Sequence, residues 1–336
     1  MKIITLLVLL SLAACGKEMV GGETENTPKN NFEVLWQDYD RWFSNFNPRN
    51  INWKAQYDIY RLMVNSSTSD EELWDIMTQM LNVLEDLHVS LEWKNQKYHF
   101  VTTKDHLHSN YLFSLFFVSN HLTDKDASDD NKYRYGKAAQ GIGYIHINDF
   151  VNNDVSDFID IIQNMGELDG LIIDARSNGG GNPEKAMEIA SIFADKYQLV
   201  YSLKTRNGPG YEDFDRSTEK YIEPHPEFQF TKPVTLLTNR TSVSAADIFV
   251  MIMKELPNVV LVGENTAGSF SASLFRTLPN GWIIRIPHQR YFNAAGENLA
   301  DIGVTPDIFI EPLTEDIING RDRVLEAAIT HIEETK

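Results

Sequence analysis

The sequence predicts an α/β protein in which a small N-terminal helical bundle precedes a largely parallel, buried sheet interleaved with helices. Two patterns predict it. Between Asn31 and Leu84, apolar residues recur at three- and four-residue steps beside helix-capping residues; from Gly141 onward, short and nearly continuous apolar runs alternate with amphipathic stretches. With 336 residues, 42% of them hydrophobic, the chain can bury one large core and a small accessory.

The first residues read as an address rather than as structure. Met1-Lys2 is a short positive start, Ile3 to Leu12 is an apolar run too short for a mature membrane span, and Ala13-Ala14 are small residues before Cys15, the only cysteine. This resembles the lipobox of bacterial lipoproteins. It implies a signal peptide over 1–14, cleavage before Cys15 and a lipid on that thiol, which anchors the protein to a membrane; the plainer reading is an ordinary secretory signal with an incidental cysteine. No disulfide is possible. Gly16 is not the acidic residue that favours inner-membrane retention, so the expected location is the cell envelope, at the outer membrane. Residues 15–30, rich in Gly, Glu, Asn and Lys, read as a flexible tether.

The bundle spans 31–93. Phe32, Leu35, Trp36, Tyr39, Phe43 and Phe46 mark a helix closed by Asn47-Pro48, and Trp53, Tyr57 and Tyr60 mark a second. Ser69 followed by Glu72 is a capping box for a third, with Leu73, Met77, Met80 and Leu84 on one face. The connecting region 94–140 shows no clear unit. It holds the apolar run Leu112 to Val118 and a charged loop from Asp124 to Asp130. The α/β core, 141–336, carries expected strands at Ile142–Ile147, Leu171–Asp174, Val234–Thr238, Val259–Gly263 and Trp282–Ile286. Helices are expected at Val155–Asn164, Pro183–Phe193 and Ala245–Lys254.

Composition excludes some functions. Asp and Glu outnumber Lys and Arg 48 to 30, giving a formal charge of −18, so a phosphate backbone would be repelled and nucleic acid is not an expected partner. Asn178 is followed by Gly179-Gly180-Gly181, between a strand and a helix opening at Pro183. The spacing is not that of a dinucleotide fingerprint, and the lysine of a phosphate-binding loop is absent. The pair His106-x-His108 lacks a third ligand at a recognisable spacing, so neither a metal nor any other cofactor is expected. No Gly-x-Ser-x-Gly elbow occurs.

The segments Leu84-Glu85-Asp86-Leu87-His88, Asp174-Ala175-Arg176-Ser177-Asn178-Gly179-Gly180-Gly181, Thr241-Ser242-Val243-Ser244-Ala245-Ala246-Asp247, Gly263-Glu264-Asn265-Thr266-Ala267-Gly268 and Gly303-Val304-Thr305-Pro306-Asp307 occur in this order. In order and spacing they resemble the tail-specific, or C-terminal-processing, serine peptidases, a family that includes the tricorn core and the retinoid-binding photoreceptor proteins. The resemblance covers most of the mature chain and implies a crotonase- or ClpP-like core. It places the nucleophile at Ser244, on a strand-to-helix junction where a helix N-terminus favours negative charge. It pairs the Gly180 and Ala245 amides as an oxyanion hole, with Asp174, Arg176 and Asn178 shaping the glycine turn. A plain N-cap is the other reading of Ser244, given Asp247 three residues on.

The base is where the chain departs from the family. The bacterial tail-specific branch uses a lysine after the Gly-Glu-x-Thr-x-Gly segment, and Ser269 stands there, an accessory candidate alongside Asp301 and Glu297. The tricorn-like branch uses a histidine at the end of the bundle, matched by His88; a histidine titrates near neutrality and suits proton transfer to and from a serine. Closing a helix C-terminus is the alternative role of His88. The helper serine of that branch would precede the histidine, where Leu87 stands, leaving Ser90 if the backbone turns. Its glutamate would fall at Ala300, leaving Asp301 or Glu297 to orient the ring. The family's PDZ domain has no room between Lys94 and Gln140. The stretch Arg206 to Thr231 reads as a lid or as a surface excursion. Together these features predict a serine-type peptidase acting on proteins or peptides; the rival is an inactive lipoprotein holding a peptide or apolar ligand in the same cleft.

Overall fold

The computed structural model describes residues 25–100, 118, 120–128, 131–151 and 153–336. Cys15 and the signal segment, the tether before Glu25, His106, His108 and most of the Leu112–Val118 run lie outside the described residues. Among the described residues no helix is long and apolar enough to cross a membrane.

The N-terminal unit opens with α1 (Pro28–Trp42), whose first turn is set by Pro28 and by the Thr27 hydroxyl accepting the Asn30 amide. α1 ends sooner than the apolar spacing suggests: Phe43 turns extended. The fully buried Arg206 guanidinium donates to the carbonyls of Asp40 (3.0 Å) and Phe43 (3.1 Å), taking up acceptors that another helical turn would use. α2 (Trp53–Tyr60) and α3 (Asp70–Asn82) follow, α3 with the predicted Ser69–Glu72 capping box.

The unit is not a helical bundle alone. Its helices lie on a four-stranded sheet in which β1 (Ser90–Trp93) pairs on one side with β2 (Gln96–His99) and on the other with β12 (Ile283–Pro287), beyond which lies β11 (Ser273–Thr277). Trp282 and Ile284 therefore pack with Tyr39, Trp53 and Met77 in the bundle's own core, and Trp74, Trp93 and Trp282 form a ring cluster with centroids 5.0–6.0 Å apart. The Trp282–Ile286 strand, expected in the main sheet, belongs here instead, since a short apolar run does not reveal which core it enters.

The main sheet has seven strands in the order β14-β10-β9-β6-β5-β4-β3. β5 (Ile142–Ile147), β6 (Gly170–Asp174), β9 (Val234–Thr238), β10 (Val259–Gly263) and β14 (Ile308–Phe309) run parallel, wholly or nearly buried apart from β14. β4 (Tyr133–Ala139) and β3 (Thr123–Ala127) extend it antiparallel. The sheet thus begins inside the region read as connecting, where the alternating polar residues of an exposed edge hid the strands. Helices α4 (Val155–Asn164), α5 (Pro183–Ser191) and α6 (Ala245–Lys254) join these strands; α7 (Thr314–Ile318) and α8 (Arg323–Thr335) close the chain. α6, hydrophobic on all sides, is buried along almost its whole length.

A third sheet, ordered β13-β7-β8, joins β7 (Gln198–Thr205), β8 (Thr218–Ile222) and β13 (Gln289–Asn293). The Arg206–Thr231 stretch is therefore part strand, and it is tied to the N-terminal unit by Arg206 and by Glu212, which accepts from Asn47 and Arg290.

At the C-terminal end of β6, Asp174 and Asp322 flank the buried Arg176, each bonded to its guanidinium, while Tyr144 donates to Asp174 at 2.7 Å. Burial alone would raise the Asp322 carboxyl, but the Arg176 charge and the Leu325 amide outweigh it and hold it below the ordinary range. Asp322→Ala should destabilise the fold by about 3–5 kcal/mol, because it leaves Arg176 short of a counter-charge. A carboxyl whose folded pKa is depressed stabilises fully above its unfolded value and loses that contribution as pH falls through the folded one. The gap in denaturant midpoint between wild type and Asp322→Ala should therefore hold constant above about pH 5 and shrink in more acid solution.

Candidate active site

His88 sits in a tight turn made by its own neighbours. Its amide donates to Asp86 Oδ1 at 2.9 Å and the Val89 amide to the Asp86 carbonyl, so Asp86 acts as the turn-forming side chain. Two residues later the chain enters β1. The ring is 4% exposed and its position is fixed at both nitrogens.

Ser244 lies where β9 gives way to α6, at φ 63 and ψ −116, a backbone conformation that non-glycine residues adopt at a cost. The strain is held by neighbours on both sides: the Val243 amide donates to the Asn178 carbonyl, and the Ser244 amide donates to Asp247 Oδ2 at 2.7 Å. Ser244 is thus the helix cap, as one reading of the sequence had it, and also the partner of the histidine. Its Oγ is 3.1 Å from His88 Nε2.

The second ring nitrogen, His88 Nδ1, lies 2.9 Å from the hydroxyl of Ser269, which is 8% exposed. The residue at the position of the tail-specific lysine therefore approaches the histidine from the far side of the ring. Ser90 does not: its Oγ is buried without a hydrogen-bond partner. Neither downstream carboxylate reaches the ring. Glu297 bonds Asn293 across an exposed turn. Asp301 bonds Arg49, whose guanidinium in turn lies 3.1 Å from Asp86.

The carboxylate nearest the ring is Asp86, with Oδ1 3.7 Å from Nδ1. Burial would raise its pKa, but the Arg49 charge, together with the hydrogen bonds and charge of His88, outweighs that and holds it well below the usual carboxylate range. It is ionised at any physiological pH. Asp86 was visible in the motif, but nothing in its spacing showed that Arg49, far back in the chain, would anchor it.

The glycine turn abuts the nucleophile. A Cβ on Gly180 would stand 2.6 Å from the Val243 carbonyl and 2.8 Å from both Ser244 Cβ and the Ala245 nitrogen, and φ is +91, so only glycine fits. The Gly180 amide donates to Asn178 Oδ1 at 2.8 Å, while Asn178 Nδ2 donates to the Ile147 carbonyl. Asn178 thus uses the Gly180 donor to build the turn. Ala245 is the first residue of α6, so its amide has no acceptor within the helix.

This arrangement defines an α/β protein with a serine–histidine pair at the C-terminal ends of parallel strands, where such sheets place their sites. Its sequence matches the model of peptidase family S41 over residues 141–310 and that of the tricorn protease C1 domain over residues 24–82. The chain belongs to peptidase family S41. It is 28% identical over 173 residues to the carboxy-terminal processing protease CtpA of Bacillus subtilis, covering 51% of this chain and 35% of that one. It is 29% identical over 202 residues to the tricorn protease of Thermoplasma acidophilum, covering 60% of this chain and 17% of that one. It thus spans only a minor part of these curated relatives. Among solved structures, a "putative peptidase" from Parabacteroides merdae superimposes with a TM-score of 0.82 at 30% identity, over 92% of this chain and 97% of the other.

Gly180→Ala should lower the reactivity of Ser244 roughly 100-fold, since the added methyl must displace the nucleophile's backbone. It should also cost about 1–3 kcal/mol of stability from the forced positive φ. Serine-directed phosphonate labelling and a denaturant melt measure the two effects.

Proposed function

We propose that this chain is a serine-type peptidase of the cell envelope that hydrolyses peptide bonds of proteins or peptides. The observation that carries the reading is the hydrogen-bonded series Ser244 Oγ, His88 Nε2, His88 Nδ1, Ser269 Oγ, with contacts of 3.1 and 2.9 Å. The work requires His88 to take a proton at Nε2, so the neutral ring carries its proton on Nδ1 and donates it to Ser269.

Ser244 Oγ attacks the peptide carbonyl carbon as its proton passes to Nε2. The Ala245 amide, aided by the positive end of α6, donates to the oxyanion. The C–N bond then breaks and Nε2 returns the proton to the leaving amine. A water molecule repeats the sequence on the acyl-enzyme, giving a carboxylate and freeing Ser244. Asp86 acts as a positioning residue: its buried negative charge favours the imidazolium formed at each proton transfer and its Oδ1 holds the His88 backbone. The remaining supports are Ser269 on the ring and Arg49 on Asp86. Cys15, acylated after signal cleavage, would tether the enzyme at the outer membrane.

A fluorophosphonate probe should label the wild type and leave Ser244→Ala unlabelled. His88→Ala should lose about 10³- to 10⁴-fold in peptide hydrolysis. Ser269→Ala should lose about 10-fold in kcat with KM little changed, since it removes one orienting hydrogen bond worth about 1.4 kcal/mol in the transition state. A folded wild type that resists labelling would overturn the reading in favour of a ligand-binding lipoprotein on the same fold.

A further inference from the structure

Asp247 is fully buried, with no exposed surface, and takes no part in the proton transfers described above. Its two oxygens nevertheless hold the site together. Oδ2 accepts the Ser244 amide at 2.7 Å and the Ser269 amide at 3.1 Å, and Oδ1 accepts the Gly268 amide at 2.8 Å. The Thr266 side chain favours the charged form of the same carboxylate. One side chain thus binds the backbone of the nucleophile, at the start of α6, to the loop after β10 that delivers the serine on the other side of the histidine ring.

We propose that Asp247 is the positioning residue that sets the spacing between Ser244 and Ser269, and so the alignment of both with His88. The proposal rests on the serine peptidase reading and deepens it. The two hydroxyls come from the segments that follow the paired strands β9 and β10, beyond the end of that pairing, and each must meet a different nitrogen of one ring. A displacement of either backbone by a fraction of an ångström breaks one of the two contacts. Three backbone amides converge on Asp247, so an acceptor-only group is required. In an asparagine, whichever way the amide is turned, its NH₂ faces at least one backbone N–H. Burial pushes the Asp247 carboxyl up to about 6 against the opposing pull of the Thr266 hydroxyl and the Gly268, Ser244 and Ser269 amides. Below that pH the carboxyl takes a proton and gives up part of its accepting capacity. The titratable side chains at this junction are Asp247 from α6 and His88 from the turn before β1, with Asp86, Arg49 and Asp301 behind the ring; Ser244, Thr266 and Ser269 contribute neutral donors.

The test is the fluorophosphonate labelling rate constant per titrated site in Asp247→Asn and wild type. Counting only sites that react removes any loss from misfolding, which lowers the number of sites but not the rate of each. The expected result is a 10- to 100-fold fall in the per-site rate at pH 8, with the inhibition constant of a reversible peptide inhibitor changed less than threefold. A per-site rate within twofold of wild type overturns the proposal while leaving the peptidase reading intact. A wild type that takes up no label overturns both. Should Asp247→Asn fail to fold, Asp247→Glu decides: it keeps an acceptor-only carboxylate on a longer stem that changes the spacing, and a per-site rate within twofold of wild type overturns the proposal.

Discussion

The antiparallel pairing of β1 with β12 is the contact on which the rest depends. It brings the N-terminal helices and the returning C-terminal chain into one sheet, with Ser90 opposite Arg285 and Leu91 opposite Ile284. β11 pairs with the other edge of β12, so β1 and β11 run in the same direction and start at the same end. His88 lies just before the start of β1 and Ser269 just before that of β11. The ring and the hydroxyl that meets its Nδ1 therefore emerge side by side from one sheet, although the sequence separates them by most of the chain. The main sheet contributes Ser244, whose hydroxyl meets the other ring nitrogen.

Rigidity on that side comes from buried polar groups that are fully engaged. Arg176 spans Asp174 and Asp322, tying the end of β6 to the cap of α8, and Asn178 spends both ends of its amide shaping the glycine turn. These interactions are not cheap in desolvation, and an apolar substitute would pack as well. What they provide is a unique geometry for the turn against which Ser244 is pressed, and that geometry is what a strained serine needs in order to keep its φ of 63.

Much of this was legible in the sequence, and the limits follow one pattern. The buried parallel strands were readable because short, nearly continuous apolar runs alternating with amphipathic stretches mark a sheet covered on both faces. Ser244 and His88 were readable because their motifs place them at element boundaries. Ser269 was an accessory candidate in the sequence, yet its contact with the second ring nitrogen was not legible, since the helper serine was sought beside His88 in the chain. Asp301 and Glu297 were chosen by proximity to Gly303, whereas the relevant carboxylate, Asp86, was inside the histidine's own motif and needed Arg49 to explain why it stays ionised when buried. Trp282–Ile286 had the composition of a core strand but not the identity of its core, and β3, β4, β7 and β8 carry too many polar residues to announce themselves. Pairing partners are global properties, and a local pattern does not encode them.

The division of the site between two hydrophobic cores has a consequence during biogenesis. Ser244 belongs to the core built from β5, β6, β9 and α6, and His88 to the core built from α1, α3, β1 and β12. The second core closes only when residues 278–286, synthesised late, return to the helices made first. Until they return, Ser244 and His88 belong to separate parts of the chain, and the 3.1 Å contact between them exists only in the completed fold.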